Sequence, residues 1–335
     1  MLNVAIINLK NLKENACKVK NKLGNAKLCA VVKADAYGHG AQVVANALYQ
    51  IADCYAVALV EEGVALRQSS IDKDILVLIP PSRKELQIAI EYRLTLTVEN
   101  LLQLSQIESE CEKLGKIAKV HLKINTGMNR LGIDDLKEVQ KLLDFLSKSK
   151  NVYLDGAYSH YGMPQDKKLL DSATDKFLLA NNLVKSYNNR ATCHISASGG
   201  FLQGKYFDMV RIGLLLYGYT PYKCDFSVKP IMKVFAPVIK KRQLQAGDSL
   251  LYGDYQLPTD KRVSLIRYGY ADGLERVKKG LLINNRCMDI SAVEESNKEW
   301  YAVMTDADRT ANEHGTIAYE VLTKCAIRAQ KIYTD

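Results

Sequence analysis

The chain has 335 residues, 47% hydrophobic and 25% charged. That balance excludes a disordered polymer or a disulfide-stapled mini-protein and leaves room for one large domain plus a smaller one. Lysine and arginine number 46 against 37 acidic residues, for a formal charge of +9. The excess is scattered and forms no basic tract interleaved with aromatics, so a solvated surface and anionic small-molecule partners are expected rather than nucleic acid.

The predicted elements begin with an N-terminal apolar stretch interrupted by Asn3, Asn8, Lys10 and Glu14, which is not a basic-then-apolar leader. Short, largely β-branched runs follow at 28–32, 55–59, 75–79, 94–98, 120–124, 154–158, 192–195 and 209–212. Helical spacing of apolar residues marks 41–51, 99–114, 136–146 and 169–184 between them. Strands alternating with helices predict a parallel sheet, and eight such units fit a (β/α)8 TIM-type barrel, a fold of about 250 residues. A doubly wound open sheet is the alternative, weakened by the lack of a GxGxxG after the first strand.

Past Tyr222 the texture changes. The runs 232–239 and 263–268 alternate, as do short runs near Leu281, Tyr301 and Tyr319, and long amphipathic helices are scarce. The expected organisation is a barrel over residues 1–222 and a smaller, mostly β domain over 223–335, with the first 8 or so residues able to pair with that second domain. No apolar run reaches the roughly 18 residues that span a bilayer, so no membrane partner is expected and the simplest compartment is the cytoplasm. The eight cysteines form no CxxC, and His160 and Asp166 are too sparse for a metal site, so none is expected.

In a barrel of this kind the chemistry sits at the C-terminal ends of the strands. There the sequence places Lys33 after the first strand and Lys123, Asn125 and Arg130 on or after the fifth. Ser159 and His160 follow the sixth, His194, Ser196 and Ser198 lie on or after the seventh, and Arg211 and Gly213 on or after the eighth. The result is a cationic pocket beside the loops that usually bind phosphate. A phosphate cradle next to a lysine suggests pyridoxal phosphate, with the lysine forming the Schiff base. Arg211 is the notable charged candidate for the pyridine end. A guanidinium donates but does not accept a proton, so it leaves the ring nitrogen neutral and the electron sink weak. Such a site suits brief deprotonation and return. In isolation Lys33 is one lysine among many solvated ones, Tyr270 is one of nineteen tyrosines, and Arg211 has Asp208 as an alternative partner. His121 reads as a satisfied core histidine, and Lys123 has Asp134 or Asp135 as ordinary partners.

The motifs AVVKADAYGHG, HLKINTGMNRLG, FDMVRIGLLLYG, YGYADG, CMD and AYEVL, in this order, resemble those of the pyridoxal-phosphate-dependent alanine racemases over almost the whole chain. The resemblance implies that Lys33 carries the cofactor and that Tyr37, Ser198, the Gly213–Leu214 backbone and Tyr319 hold its phosphate. Arg211 would face the pyridine nitrogen, His194 would pack under the ring, and Arg130 would contact the phenolic oxygen and the substrate carboxylate. Tyr270 would be the second acid/base with His160 as its hydrogen-bonding partner, and Met288 and Asp289 would stand at the substrate entrance. Lys123 matches a lysine that is carbamylated in many members and helps orient the arginine. The resemblance also implies a homodimer with shared active sites, L- and D-alanine as substrates and a role in supplying cell-wall D-alanine. The chain departs from the family at Ala197, where asparagine is usual, and at Asn125, where aspartate is usual. A racemase of serine or of broader range, a non-catalytic pyridoxal phosphate carrier, and a decarboxylase of similar layout are the alternatives. The YGYADG and CMD motifs oppose the carrier, and Arg211 opposes the decarboxylase.

Overall fold

The computed structural model describes residues 2–252, 256–275 and 286–335. The chain divides into two compact units, one of Leu12–Ala36 and Ala41–Lys229, the other of Met1–Asn11, Tyr37–Gly40 and Pro230–Asp335.

Strand β1 (Val4–Asn8) leads into helix α1 (Leu9–Lys22), where Asn8 Oδ1 accepts from Asn11 N at 2.6 Å. Then follow β2 (Lys27–Val31), α2 (Lys33–Gly38), α3 (Ala41–Ala47), β3 (Cys54–Val57), α4 (Val60–Gln68), β4 (Ile75–Val77), α5 (Leu86–Glu91) and β5 (Thr95–Val98). Next come α6 (Leu101–Leu114), β6 (Ala118–Lys123), α7 (Leu136–Leu146), β7 (Val152–Tyr158), α8 (Lys167–Tyr187), β8 (Thr192–His194), α9 (Ser198–Leu202) and β9 (Met209–Ile212). Helix starts are set by short polar caps: Asn100, Asp135 and Asp166 each accept a backbone N–H of the first turn of α6, α7 and α8. Gly115, at φ +61°, closes α6 in the left-handed conformation that glycine adopts without strain.

Strands β2 to β8 pair in sequence order, all parallel, and β9 returns to pair with β2. Between β8 and β9 the ring is bridged by Asp208 N to Cys193 O and Arg211 N to Ser196 O, both 3.0 Å, rather than by a full ladder. This is a nearly closed eight-stranded βα barrel. All eight strand-like runs of the sequence are barrel strands. Five of the barrel's described helices, α1, α2, α4, α5 and α9, were not anticipated. α1 is rich in Lys and Asn and buries only Leu12, Asn15, Ala16 and Val19, while α4 and α5 are too short to show a clear period.

The second unit holds β1 with β10 (Met232–Leu244), β11 (Lys261–Ile266), β12 (Ser291–Glu294), β13 (Trp300–Met304) and β14 (Gln330–Thr334), in the order β12-β11-β10-β1-β14 with β13 on β10. Helices α10 (Ala307–His314) and α11 (Ala318–Lys324) also belong to it. Tyr319 therefore lies on a helix, not in an alternating run. Asp306 caps α10, and three apolar positions in α11 (Ala318, Val321, Leu322) are buried at helical spacing, a period too short to stand out in sequence. The run near Leu281 lies outside the described residues. No described helix is long and apolar enough to cross a membrane.

Candidate active site

Lys33 opens α2 directly beyond β2, and the backbone that follows is unusual. Ala34, Asp35, Ala36 and Tyr37 have φ between +51° and +54°, so four non-glycine residues in succession adopt the left-handed conformation. Each costs on the order of 1–2 kcal/mol, so the turn persists only because its surroundings fix it. Ala34 N donates to Glu62 Oε1 at 2.6 Å, Ala36 N to Val32 O at 2.8 Å, and Ala41 N to Asp35 Oδ1 at 2.8 Å. Glu62 is itself held by the N–H groups of Ala58 and Leu59.

At the carboxyl end of the barrel strands, Lys33, Lys123, Arg130 and Arg211 gather without a carboxylate in ion-pair contact among the described residues. Burial, then Arg130 and Arg211, lower the pKa of Lys33, against the opposing charge of Glu62. Burial, Arg211 and Arg130 push Lys123 down to about 7. Its ammonium lies 4.3 Å from the ring centroid of Tyr158. Asp134 instead receives Asn125 Nδ2 at 2.6 Å, and Asp135 caps α7, so neither is a partner of Lys123. Asn125 also bonds Asn129 and the N–H groups of Gly127 and Asn129, organising the loop that carries Arg130.

Arg211, on β9, is 3% exposed. Burial lowers even its pKa, to about 10. Its Nη2 donates to Ser159 O at 2.6 Å and Ile195 O at 3.2 Å and lies 3.4 Å from His160 Nδ1. Its Nη1 bonds His194 Nδ1, and its plane sits 5.0 Å from the Tyr158 centroid. It does not pair with Asp208, which is taken by Lys185 at 2.7 Å and by Cys193 N at 2.7 Å. The guanidinium Nε is used by none of these bonds. Burial and the surrounding cations push His160 down to about 3, so it is neutral and offers a hydrogen bond rather than a charge.

His194 departs from its expected place. It is fully buried, stacked on Tyr158 at 5.1 Å and 3°, with both nitrogens engaged. It stands behind Arg211 and has no free face on which a cofactor ring could lie. Ser198, 3% exposed, begins α9, while Gly213 and Leu214 lie just past the last paired residue of β9. Missed in sequence was Tyr158, whose ring is shared by Lys123, Arg211 and His194; an aromatic at the end of a strand was its only signal.

In the other unit, Tyr37 and Tyr319 pack their rings 5.9 Å apart, and burial raises both phenols. Tyr270 sits in a short turn, 43% exposed. Asp272 shapes that turn, accepting Gly269 N at 2.8 Å and Asn3 Nδ2 at 3.0 Å. Tyr270 N and Ala271 N donate to Cys287 O and Met288 O, bringing the YGYADG and CMD motifs side by side. A Cβ on Gly269 would stand 2.1 Å from Met288 O, so only glycine fits there. Met288 is 54% exposed, and Asp289 accepts from Arg328 at 2.8 Å.

The opposite mouth of the barrel differs in its ion pairing. Lys20 pairs with Asp53, and Lys119 with Asp74 at 2.9 Å and Asp155 at 3.9 Å. No described cluster of His, Cys, Asp or Glu could hold a metal.

Residues 7–221 match the family model for the alanine racemase N-terminal domain and 231–333 that for its C-terminal domain. The alanine racemase of Streptococcus equi subsp. zooepidemicus is 32% identical over 98% of both chains, and that of Clostridium novyi 31% identical over 98% of this chain and 94% of the relative. A solved alanine racemase of Clostridium difficile 630 superposes with a TM-score of 0.92 and 30% identity, covering 100% of this chain and 96% of that one. By these matches, which run through both units and every motif of the site, the chain belongs to the alanine racemase family.

Proposed function

We propose that the protein interconverts L-alanine and D-alanine with pyridoxal phosphate as cofactor. The observation that carries this reading is the group of cations around Lys33, with Lys123 and Arg211 buried and no carboxylate in ion-pair contact among the described residues. The donor set fits the cofactor: a lysine with a lowered pKa to bond it, a guanidinium Nε for its ring nitrogen, and a serine hydroxyl with strand-end N–H groups for its phosphate. When bound, pyridoxal phosphate supplies a conjugated ring that withdraws electrons from the substrate's Cα and acidifies its proton.

Lys33 would hold the cofactor and would serve as the base on one face of the substrate. Burial, Arg130 and Arg211 lower its pKa, which favours the neutral amine a base must present. Arg211 keeps its proton and therefore donates to the ring nitrogen without protonating it. Ser198 and the N–H groups of Gly213 and Leu214 bind phosphate, with Tyr37 and Tyr319 as further phosphate ligands. Arg130 receives the substrate carboxylate. Lys123, at about 7, has enough neutral amine to add carbon dioxide and become a carbamate that orients Arg130. Tyr270 is the base on the opposite face, with His160 as its hydrogen-bond partner, and Met288 and Asp289 border the entrance. We assign a homodimer in which Tyr270, Met288 and Asp289 serve the partner's barrel, and a cytoplasmic role in making D-alanine for the cell wall.

The test is the decay of circular dichroism of L-alanine and of L-serine in deuterated water. Alanine should racemise faster and gain deuterium at Cα, and Tyr270→Phe should slow it by about 10²–10⁴-fold. Racemisation of serine alone, or an unaffected Tyr270→Phe, would sink the reading. Refolding Lys33→Ala with Tyr270→Phe should restore about a quarter of wild-type activity if sites are shared across a two-fold dimer.

A further inference from the structure

Arg211 is anchored at one end by a chain of side chains that crosses the barrel interior. Its Nη1 donates to His194 Nδ1. His194 Nε2 lies 3.0 Å from His121 Nδ1, and His121 Nε2 lies 3.2 Å from Asp155 Oδ2. Arginine only donates and an ionised carboxylate only accepts, so the direction of every bond is determined. His194 must accept at Nδ1 and carry its proton on Nε2. His121 must then accept at Nδ1 and donate its Nε2 proton to Asp155. Two neutral imidazoles in one tautomer satisfy all three bonds, and any other assignment sets donor against donor.

The backbone is built around this path. The β6–β7 register passes from Val120↔Leu154 to His121↔Gly156, so Asp155 is the extra residue of a β-bulge, a device that re-aims a side chain. A Cβ at Gly156 would lie 2.7 Å from His121 Cε1 and 2.2 Å from Thr192 O, so glycine makes room for the imidazole. Asp155 reaches the amino-terminal mouth of the barrel, where Lys119 faces its other oxygen and Lys27 also lines the cavity.

We propose that Asp155, His121 and His194 form a one-directional hydrogen-bond relay that fixes the guanidinium of Arg211, which makes Asp155, at the far end of the barrel, a positioning residue for the site. The relay is a property of the barrel and stands independently of the cofactor. Its catalytic consequence rests on the proposed role of Arg211.

The tautomers can be read without cofactor by long-range 1H–15N NMR of histidine-labelled protein. There are five histidines, few enough to assign by replacing His39, His160 and His314 in turn. Both His121 and His194 should be neutral and protonated on Nε2. Asp155→Leu removes the acceptor and fills space in a cavity of about 80 Å³ that could otherwise admit a substituting water. It should shift the His194 nitrogens even though His194 does not touch Asp155. Asp155→Asn keeps an acceptor oxygen and should restore the wild-type pattern. Gly156→Ala, which presses on His121, should also disturb His194. Protonation of His194 on Nδ1 in the wild type would overturn the relay even if no variant folded. So would a doubly protonated ring, or His194 signals indifferent to Asp155→Leu. None of these outcomes depends on whether the protein racemises alanine.

Discussion

The two mouths of the barrel use the same residue types to opposite ends. At the amino-terminal mouth Lys20, Lys119 and Lys185 each meet a carboxylate. There burial pulls Lys119 down, but its bond to Asp74 and the charge of Asp155 hold it above its ordinary value. At the carboxyl-terminal mouth Lys33 and Lys123 fall below theirs because burial and the neighbouring cations outweigh Glu62 and Glu99, and Arg211 falls below its own chiefly through burial. One mouth is neutralised by paired carboxylates, Asp155 among them. The other holds positive charge that only a ligand can balance, which is how an anion site is recognised before any anion is seen.

Substitutions can break this contrast. The largest effect belongs to Lys33→Ala, which should lower racemisation by at least about 10²–10⁴-fold while leaving the thermal unfolding of the ligand-free protein no lower than wild type. Loss of folding along with activity would mean Lys33 is structural.

A smaller effect is expected at Lys123. Its pKa is about 7 in the folded chain and about 10.4 unfolded, so between these values the unfolded chain binds more protons and stability climbs with pH. Lys123→Met should flatten that climb. In bicarbonate-free buffer at pH 6 it should stabilise the ligand-free protein by about 1–3 kcal/mol in urea titrations. Destabilisation there would mean that an unseen anion already pairs with Lys123.

The smallest effect is at the neutralised mouth. Lys119 and Asp74 are 44% and 57% exposed, so Lys119→Ala should cost no more than about 1 kcal/mol and leave racemisation unchanged. A large loss of activity would show that the site depends on Lys119 as well as on Asp155.

Much of this was legible in sequence because barrel strands are short apolar runs and because AVVKADAYGHG is dense in specific residues. The eight strands, the position of Lys33 at the end of β2 and the cluster of cations all follow from order along the chain. The left-handed turn after Lys33 was not legible, since Ala-Asp-Ala-Tyr contains no glycine to announce positive φ. Nor was the place of His194, because the bulge at Asp155 and the clearance at Gly156 that admit His121 are register effects, and register leaves no local trace. The second unit was read as β from its alternation, but α10 and α11 are short and polar enough to escape a period search.

The central claim is that Lys33, at the uncompensated mouth, is the residue that bonds the cofactor. Borohydride reduction of protein loaded with pyridoxal phosphate, followed by peptide mapping, tests it most directly. The account predicts the reduced pyridoxyl group on Lys33 and its disappearance in Lys33→Ala. A label on Lys123, on Lys119 or spread over surface lysines would contradict it.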